Sequence, residues 1–313
     1  MFDIVGKRYV YFALSTGLIV LGIAAMIYST LTIGTPLRLS IDFTSGALWE
    51  VRFEQAIQPA DVRAIFVDRG FGDTSVQTAQ DGRTALIRSK PLEPEQKLAL
   101  AAALQEKFGT FEERRFESVG PTIGREVTRT ATIATIAASV VILIFIIIAF
   151  RKVPNAFRYG VCAIIAMIHD LLVVAGFFAI MGVLVGWEVD ALFLTAILTV
   201  IGFSVQDTIV VFDRIRENIP KRRGEPYEVI VNRSLLETLH RSLVTQLNAI
   251  FVMVAIILFG GATMRQFVAV MLVGMLTGTY SSIFNAVPLL VVWEKGEVGT
   301  FFRRLFGRQP AAV

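Results

Sequence analysis

Six stretches of the chain stay apolar long enough to cross a membrane, near Tyr9–Ile33, Thr130–Phe150, Phe157–Gly182, Ala191–Phe212, Ser242–Ala262 and Gln266–Trp293. A helix of about 20 residues spans the hydrocarbon of a bilayer. The first stretch is too long for the core of a cleaved leader and no small-residue cleavage pattern follows it, so it reads as a retained helix. Between the first and second stretches the pattern changes to about 90 residues of mixed polarity, enough to bury a core of their own. Here ALWEVRF alternates as a strand does. PADVRAIFVDRG places Val62, Ile65 and Phe66 on one helical face and stops at Gly70. SVQTA and TALIRSK read as strands around the turn Gln80-Asp81-Gly82. PEQKLALAAALQEKFG is a helix ended by Gly109, and FEERRFESV is a last strand. The order βαββαβ predicts a ferredoxin-like α+β domain. The expected divisions are an N-terminus and first helix over 1–36, this domain over 37–128, a bundle of five helices over 129–293 with a polar loop at 213–241, and a tail over 294–313.

Composition agrees with a polytopic helical membrane protein. Hydrophobic residues make up 54% and charged residues only 18% of the 313, with a mean hydropathy of +0.64. The excess of four positive charges matters less than its distribution. Lys7 and Arg8 precede the first helix, and Arg151, Lys152 and Arg158 follow the second. Seven Lys and Arg residues lie between Arg214 and Arg241, and Arg303, Arg304 and Arg308 follow the sixth helix. The alternate connections carry acids (GWEVD) or the single Arg265. The positive-inside rule then puts both termini in the cytoplasm and the 37–128 domain outside. Basic residues are explained by membrane flanks, so no nucleic-acid surface is expected. Cys162 is the single cysteine, which excludes an internal disulfide and a cysteine-rich metal site. No phosphate-binding glycine loop is present, so an energised process here would draw on the membrane potential. One charge moved through 100 mV supplies about 2.3 kcal/mol.

Ionisable residues inside spans cost about 2.5–3.5 kcal/mol on insertion scales, and such residues mark pathways, relays or paired sites. His169 and Asp170 interrupt the third stretch. Gln206 and Asp207 lie in the fourth, with Asp213 at its boundary. Arg241 opens the fifth, at a depth matching Asp207 on an antiparallel neighbour. Two readings fit Asp207 and Arg241: a protonatable acid with a cationic switch partner, or an ion pair that holds two helices. His169 and Asp170 fit either a relay or packed polar contacts. As sequence neighbours they point about 100° apart and are not expected to line one seam. Asp213 and Arg214 read as an interfacial turn. Gly260-Gly261, and Gly274 with Gly278, read as small-residue packing sites. In the outer domain, which has neither histidine nor cysteine, binding or mechanics is preferred to chemistry.

Six strings carry a resemblance: IDFTSG at Ile41–Gly46, VGPTIGREV at Val119–Val127, HDLLVVAGF at His169–Phe177, IGFSVQDTIVVFDRIREN at Ile201–Asn218, RSLVTQLNA at Arg241–Ala249 and LFGG at Leu258–Gly261. Together they resemble the SecF family of bacterial protein-export subunits. The resemblance implies half of an RND-like pseudosymmetric unit completed by SecD. It implies cooperation with the SecYEG channel and the SecA motor in the bacterial cytoplasmic membrane. It further implies use of the proton gradient, with no other cofactor, to pull preproteins outward. Asp207 and Arg241 match the family's proton-coupling positions, and Gln206 and Thr245 flank them. Gln206 stands where the family usually has Asn, and Ser45 where a second Gly is usual. A half-size proton-driven exporter of small molecules or lipids, an intramembrane aspartyl protease using Asp170 and Asp207, and a passive scaffold are the competing readings.

Overall fold

The computed structural model describes residues 2–79, 81–151 and 155–297, so Lys152, Arg303, Arg304 and Arg308 lie outside the described residues. Among those described, six helical segments are long and apolar enough to span a membrane. They are α1 (Arg8–Ile33), extended by a turn at Val5–Lys7, α5 (Pro121–Ala149), α6 (Ala156–Val185), α7 (Ala191–Lys221), α8 (Tyr227–Phe259), and a last segment. The last segment comprises α9 (Ala262–Ser281), a π-helical turn (Ser282–Ala286) and α10 (Val287–Glu294). Pro288 has no N–H to give to the carbonyl four residues earlier. The wider π-turn just before it absorbs that missing rung. The protein is a multi-pass helical membrane protein.

The chain divides into two compact units. The helical unit contains the chain through Arg38, Ala134–Trp187, and the chain from Leu192 onward. Its core joins Phe150, Tyr159, Met167, Ile201, Phe212, Leu235 and Leu290. The polar stretch 213–241, expected as a loop, is helical except for residues 222–226. The reason is local. DRIREN carries ion pairs at helical spacing, Arg216–Asp213 at 2.6 Å and Arg214–Glu217 at 2.9 Å, which prolong α7 beyond the apolar run. The sequence before Ser242 buries Ile230, Val231, Ser234, Leu235 and Thr238 on one side of α8. Asn218 of α7 donates to Ser234 at 2.9 Å and to Glu237 at 3.0 Å on α8. Asn232 of α8 accepts from the backbone of Ile4 and Val5.

The second unit contains Leu39–Ile133 with Glu188–Ala191. After a one-turn helix α2 (Ile41–Thr44) come β1 (Gly46–Phe53), α3 (Pro59–Val67), β2 (Ser75–Thr78), β3 (Thr84–Ser89), α4 (Pro94–Phe108) and β4 (Phe111–Val119). The sheet order is β2-β3-β1-β4, antiparallel throughout. Pro59 and Pro94 each open a helix where a missing N–H costs nothing. Glu93 and Gln96 add a reciprocal capping box to α4. Trp49, Val51, Phe53 and Ile87 of the sheet meet Val62, Phe66, Leu100 and Leu104 of the helices in one core.

Two local features of this unit make predictions. Ser45 takes φ 60° and ψ 162°, a backbone region close to glycine-only, between α2 and β1. Its hydroxyl donates to the carbonyl of neighbouring Thr44. Ser45→Gly is therefore expected to stabilise the protein by about 1 kcal/mol, read as a higher melting temperature in detergent. An unchanged or lowered value would show that the strain is compensated locally. Asp81 accepts from the backbone of Arg83 and Thr84 at 3.0 and 2.9 Å and from the Thr84 hydroxyl at 2.8 Å. These bonds hold its carboxyl down to about 2. The folded value is depressed, so this stabilisation is complete above about pH 4 and is lost as pH falls toward about 2. Asp81→Asn is expected to remove that acid limb from a stability–pH curve. Identical curves for both proteins would refute the assignment.

Candidate functional site: two buried carboxylates flanking one helix

Helix α7 places small polar and acidic groups on two of its sides. Asp207 is 5% exposed and turns toward α8, where its carboxylate accepts from Gln246 Nε2 at 2.8 Å. Ser242, one turn before Gln246, is buried with its hydroxyl beside the same carboxylate. Three residues before Asp207 on α7, Ser204 donates to Asp170 Oδ2 of α6 at 2.6 Å. Ser281 of α9 donates to the same oxygen at 2.7 Å. His169 Nδ1 lies 3.0 Å from Asp170 Oδ1. Asp170 is completely buried, and three elements satisfy it. Below it, the Thr208 and Ser282 hydroxyls meet at 2.8 Å, and Ser282 also donates to the Ser204 carbonyl at 3.0 Å.

Glycines make this closeness possible. A Cβ on Gly278 would lie 3.1 Å from Ser204 Cα, and one on Gly274 would lie 2.2 Å from a Val200 methyl. The Gly274/Gly278 pair is therefore the α7–α9 seam. Gly260-Gly261 is not a seam. It forms the connection between α8 and α9, with Gly261 exposed.

The sequence-nominated residues separate into those that converge and those that do not. Asp207, Asp170 and His169 are buried in polar contacts. Arg241 is exposed and makes no ion pair among the described residues, so Gln246, not Arg241, holds Asp207 in this conformation. Thr245 is exposed, its hydroxyl bonded back to the Arg241 carbonyl, and Gln206 is exposed. Helical periodicity explains the division: Ser242 and Gln246 are four residues apart on the inward face, while Arg241, Thr245 and Asn248 share the outward one. Asp213 and Arg214 are partly exposed and sit in the ion pairs that extend α7. His169 and Asp170 do point into different seams, as neighbours must, yet the imidazole curls back to bond the carboxylate. Ser204, Ser281, Ser282 and Gln246 are site residues that a search for charges in apolar runs passes over. Their only signal is helical spacing relative to Asp170 and Asp207. No group of three or more metal-ligating side chains occurs among the described residues.

Residues 99–296 match the family described as "Protein export membrane protein SecD/SecF, C-terminal". The chain is 49% identical to the protein translocase subunit SecF of Anaerolinea thermophila, with all of both chains aligned. It is 48% identical to that of Thermobaculum terrenum over 97% of this chain and 98% of the relative. Among solved structures, the translocon-associated membrane protein SecDF of Thermus thermophilus superimposes with a TM-score of 0.76 and 31% identity. That match covers 94% of this chain and 39% of the SecDF chain, so the protein spans about two fifths of it. Full-length identity near one half, the family match and the structural superposition lead to one conclusion: the chain belongs to the SecD/SecF family of protein export membrane proteins, among its SecF members.

Proposed function

We propose that the protein is the SecF-type subunit of a preprotein translocase, paired with a SecD-type partner and driven by the proton gradient. Asp207 is the proton-carrying group. One observation carries this reading: a carboxylate buried inside a span is held by a neutral amide and, among the described residues, by no cation. An ion pair would fix Asp207 as an anion, since a nearby cation favours the charged form. An amide partner leaves both protonation states accessible. Arg241, exposed near the Asp213–Arg216 and Arg214–Glu237 pairs, is the cation available to engage Asp207 in another conformation. The distribution of Lys and Arg supports cytoplasmic termini and residence in the bacterial cytoplasmic membrane.

The antiparallel β2-β3-β1-β4 order supports a ferredoxin-like outer domain that handles the emerging chain after SecYEG and SecA have started it. Action without covalent chemistry is supported by the two acids. Asp170 of α6 bonds to Ser204 of α7 while Asp207 of α7 bonds to Gln246 of α8, and among the described residues no hydrogen bond joins the two acids, whereas aspartyl protease chemistry needs two carboxylates sharing a proton. The test is proton-gradient-dependent preprotein export by proteoliposomes holding this chain with its SecD-type partner. Gradient-driven efflux of small molecules by this chain alone would support the exporter reading instead.

A further inference from the structure

We propose that His169 and Asp170 form a second proton-binding site, entered through a groove between α1 and α6 and separate from Asp207. The proposal rests on the reading that a proton gradient drives this protein. His169 is 6% exposed. Its Nδ1 is engaged by Asp170, but its Nε2 is buried with no hydrogen-bond partner. An orphaned ring nitrogen at this depth is costly and needs a ligand. The side chain lines a groove of about 320 Å³ whose walls include Phe12, Ser15, Thr16, Ile165 and Asn285. Ser15 donates to Asn285 Oδ1 at 2.9 Å, and the Tyr280 hydroxyl donates to the Tyr11 carbonyl at 2.9 Å. Ser15, Thr16, His169 and Asn285 give this largely apolar groove its few polar groups, and the volume has room for water beside them.

The groups able to titrate around His169 are few. On its own helix there is Asp170, and on α9 there is Tyr280, whose ring centroid is 6.2 Å from the imidazole. Arg8 of α1 lies about two turns from Ser15 and is engaged by Glu228 and Glu297. Asp207 of α7 faces α8. The imidazole is therefore the natural port to Asp170. An excess proton delivered along the groove binds Nε2, and the Nδ1 proton passes to Asp170 Oδ1. The ring is left neutral as its other tautomer, and the carboxylate becomes a neutral acid. The cycle adds one proton and neutralises one buried negative charge.

That change reaches α7 directly. Ser204 and Ser281 both donate to Asp170 Oδ2, and hydrogen bonds to an ionised acceptor are roughly twice as strong as neutral ones. Protonation weakens both and loosens α7 and α9 from α6. Helix α7 also carries Asp207, less than one turn from Ser204, so the two sites bias one helix.

His169→Gln keeps a donor for Asp170 but cannot titrate. In proteoliposomes with the partner subunit, its gradient-driven export is expected to fall by about tenfold or more. A pH-dependent component of the wild-type rate should vanish from the profile. Wild-type rate and profile would overturn the proposal. Access is tested separately in the Cys162→Ala background, which has no other cysteine. Thr16→Cys in the groove is expected to react with a small cationic thiol reagent, and Leu14→Cys, exposed on α1 outside the groove, to stay unreactive. Equal inertness of the two would overturn the route even if His169→Gln failed to fold. Loss of coupling in Asp207→Asn with a wild-type His169→Gln profile would remove only this second site. Wild-type coupling in both would remove the proton-driven reading on which it rests.

Discussion

Asp207→Asn is expected to abolish the gradient-dependent part of preprotein export while leaving the protein folded and assembled. Asparagine keeps an oxygen that can accept from Gln246 Nε2, now at 2.8 Å from the carboxylate, and it nearly preserves side-chain volume, so the α7–α8 contact survives. What disappears is the exchangeable proton. One charge moved through 100 mV supplies about 2.3 kcal/mol, so losing a single coupled proton lowers the driven rate by as much as about fiftyfold. Arg241→Met is expected to have the same effect for a different reason. Its exposed head makes no ion pair among the described residues, so truncating it removes no resting-state contact. Its loss matters only if Asp207 engages it during the cycle. The measurement is export rate against imposed proton gradient, with subunit assembly checked in parallel. Wild-type gradient dependence in both variants would leave the scaffold reading standing.

Gly176→Val is expected to be the most damaging single change to the bundle. Helices α1 and α6 cross where Gly22 faces Gly176, and a Cβ built on Gly176 would lie 2.4 Å from Gly22 Cα. The three nearest atoms are all backbone of Gly22, so no rotamer change relieves the clash and the helices must part. Overpacking of this kind costs about 3 kcal/mol, and the small-residue crossing has no other source of close packing. The Ser15–Asn285 and Tyr280–Tyr11 hydrogen bonds, which tie α1 to the last helical segment, would loosen with it. Gly22→Ala, whose Cβ would sit 3.0 Å from Gly176 Cα, should be milder. Thermal unfolding in detergent reads both. A Gly176→Val protein as stable as wild type would mean that the crossing opens freely.

Much of this was legible along the chain, because the signals are local. The spans follow from apolar length, and the small domain's elements from period-two and helical patterns punctuated by Pro59, Gly70, Pro94 and Gly109. The helical ends were less legible. Apolar length stops at Phe212, whereas the helix continues on Asp213–Arg216 and Arg214–Glu217 pairs that hydropathy does not count. The site was half legible. Charge in an apolar run marks Asp170 and Asp207 at once, but it also favours Arg241 as the partner of Asp207, since opposite charges at similar depth attract. Only the rotation of α8 decides otherwise, turning Ser242 and Gln246 inward and Arg241 and Thr245 outward.

The sequence by itself determined that this is a membrane protein of six spans, which residues are ionisable within them, and through six strings the family to which the chain belongs. Those properties depend on composition and order alone. Tertiary structure decided the partners: an amide for Asp207, and for Asp170 an imidazole and two serine hydroxyls contributed by three helices. Hydrogen bonds act over about 3 Å, so a helix's rotation and glycine-permitted approach, not its sequence position, select which side chains meet.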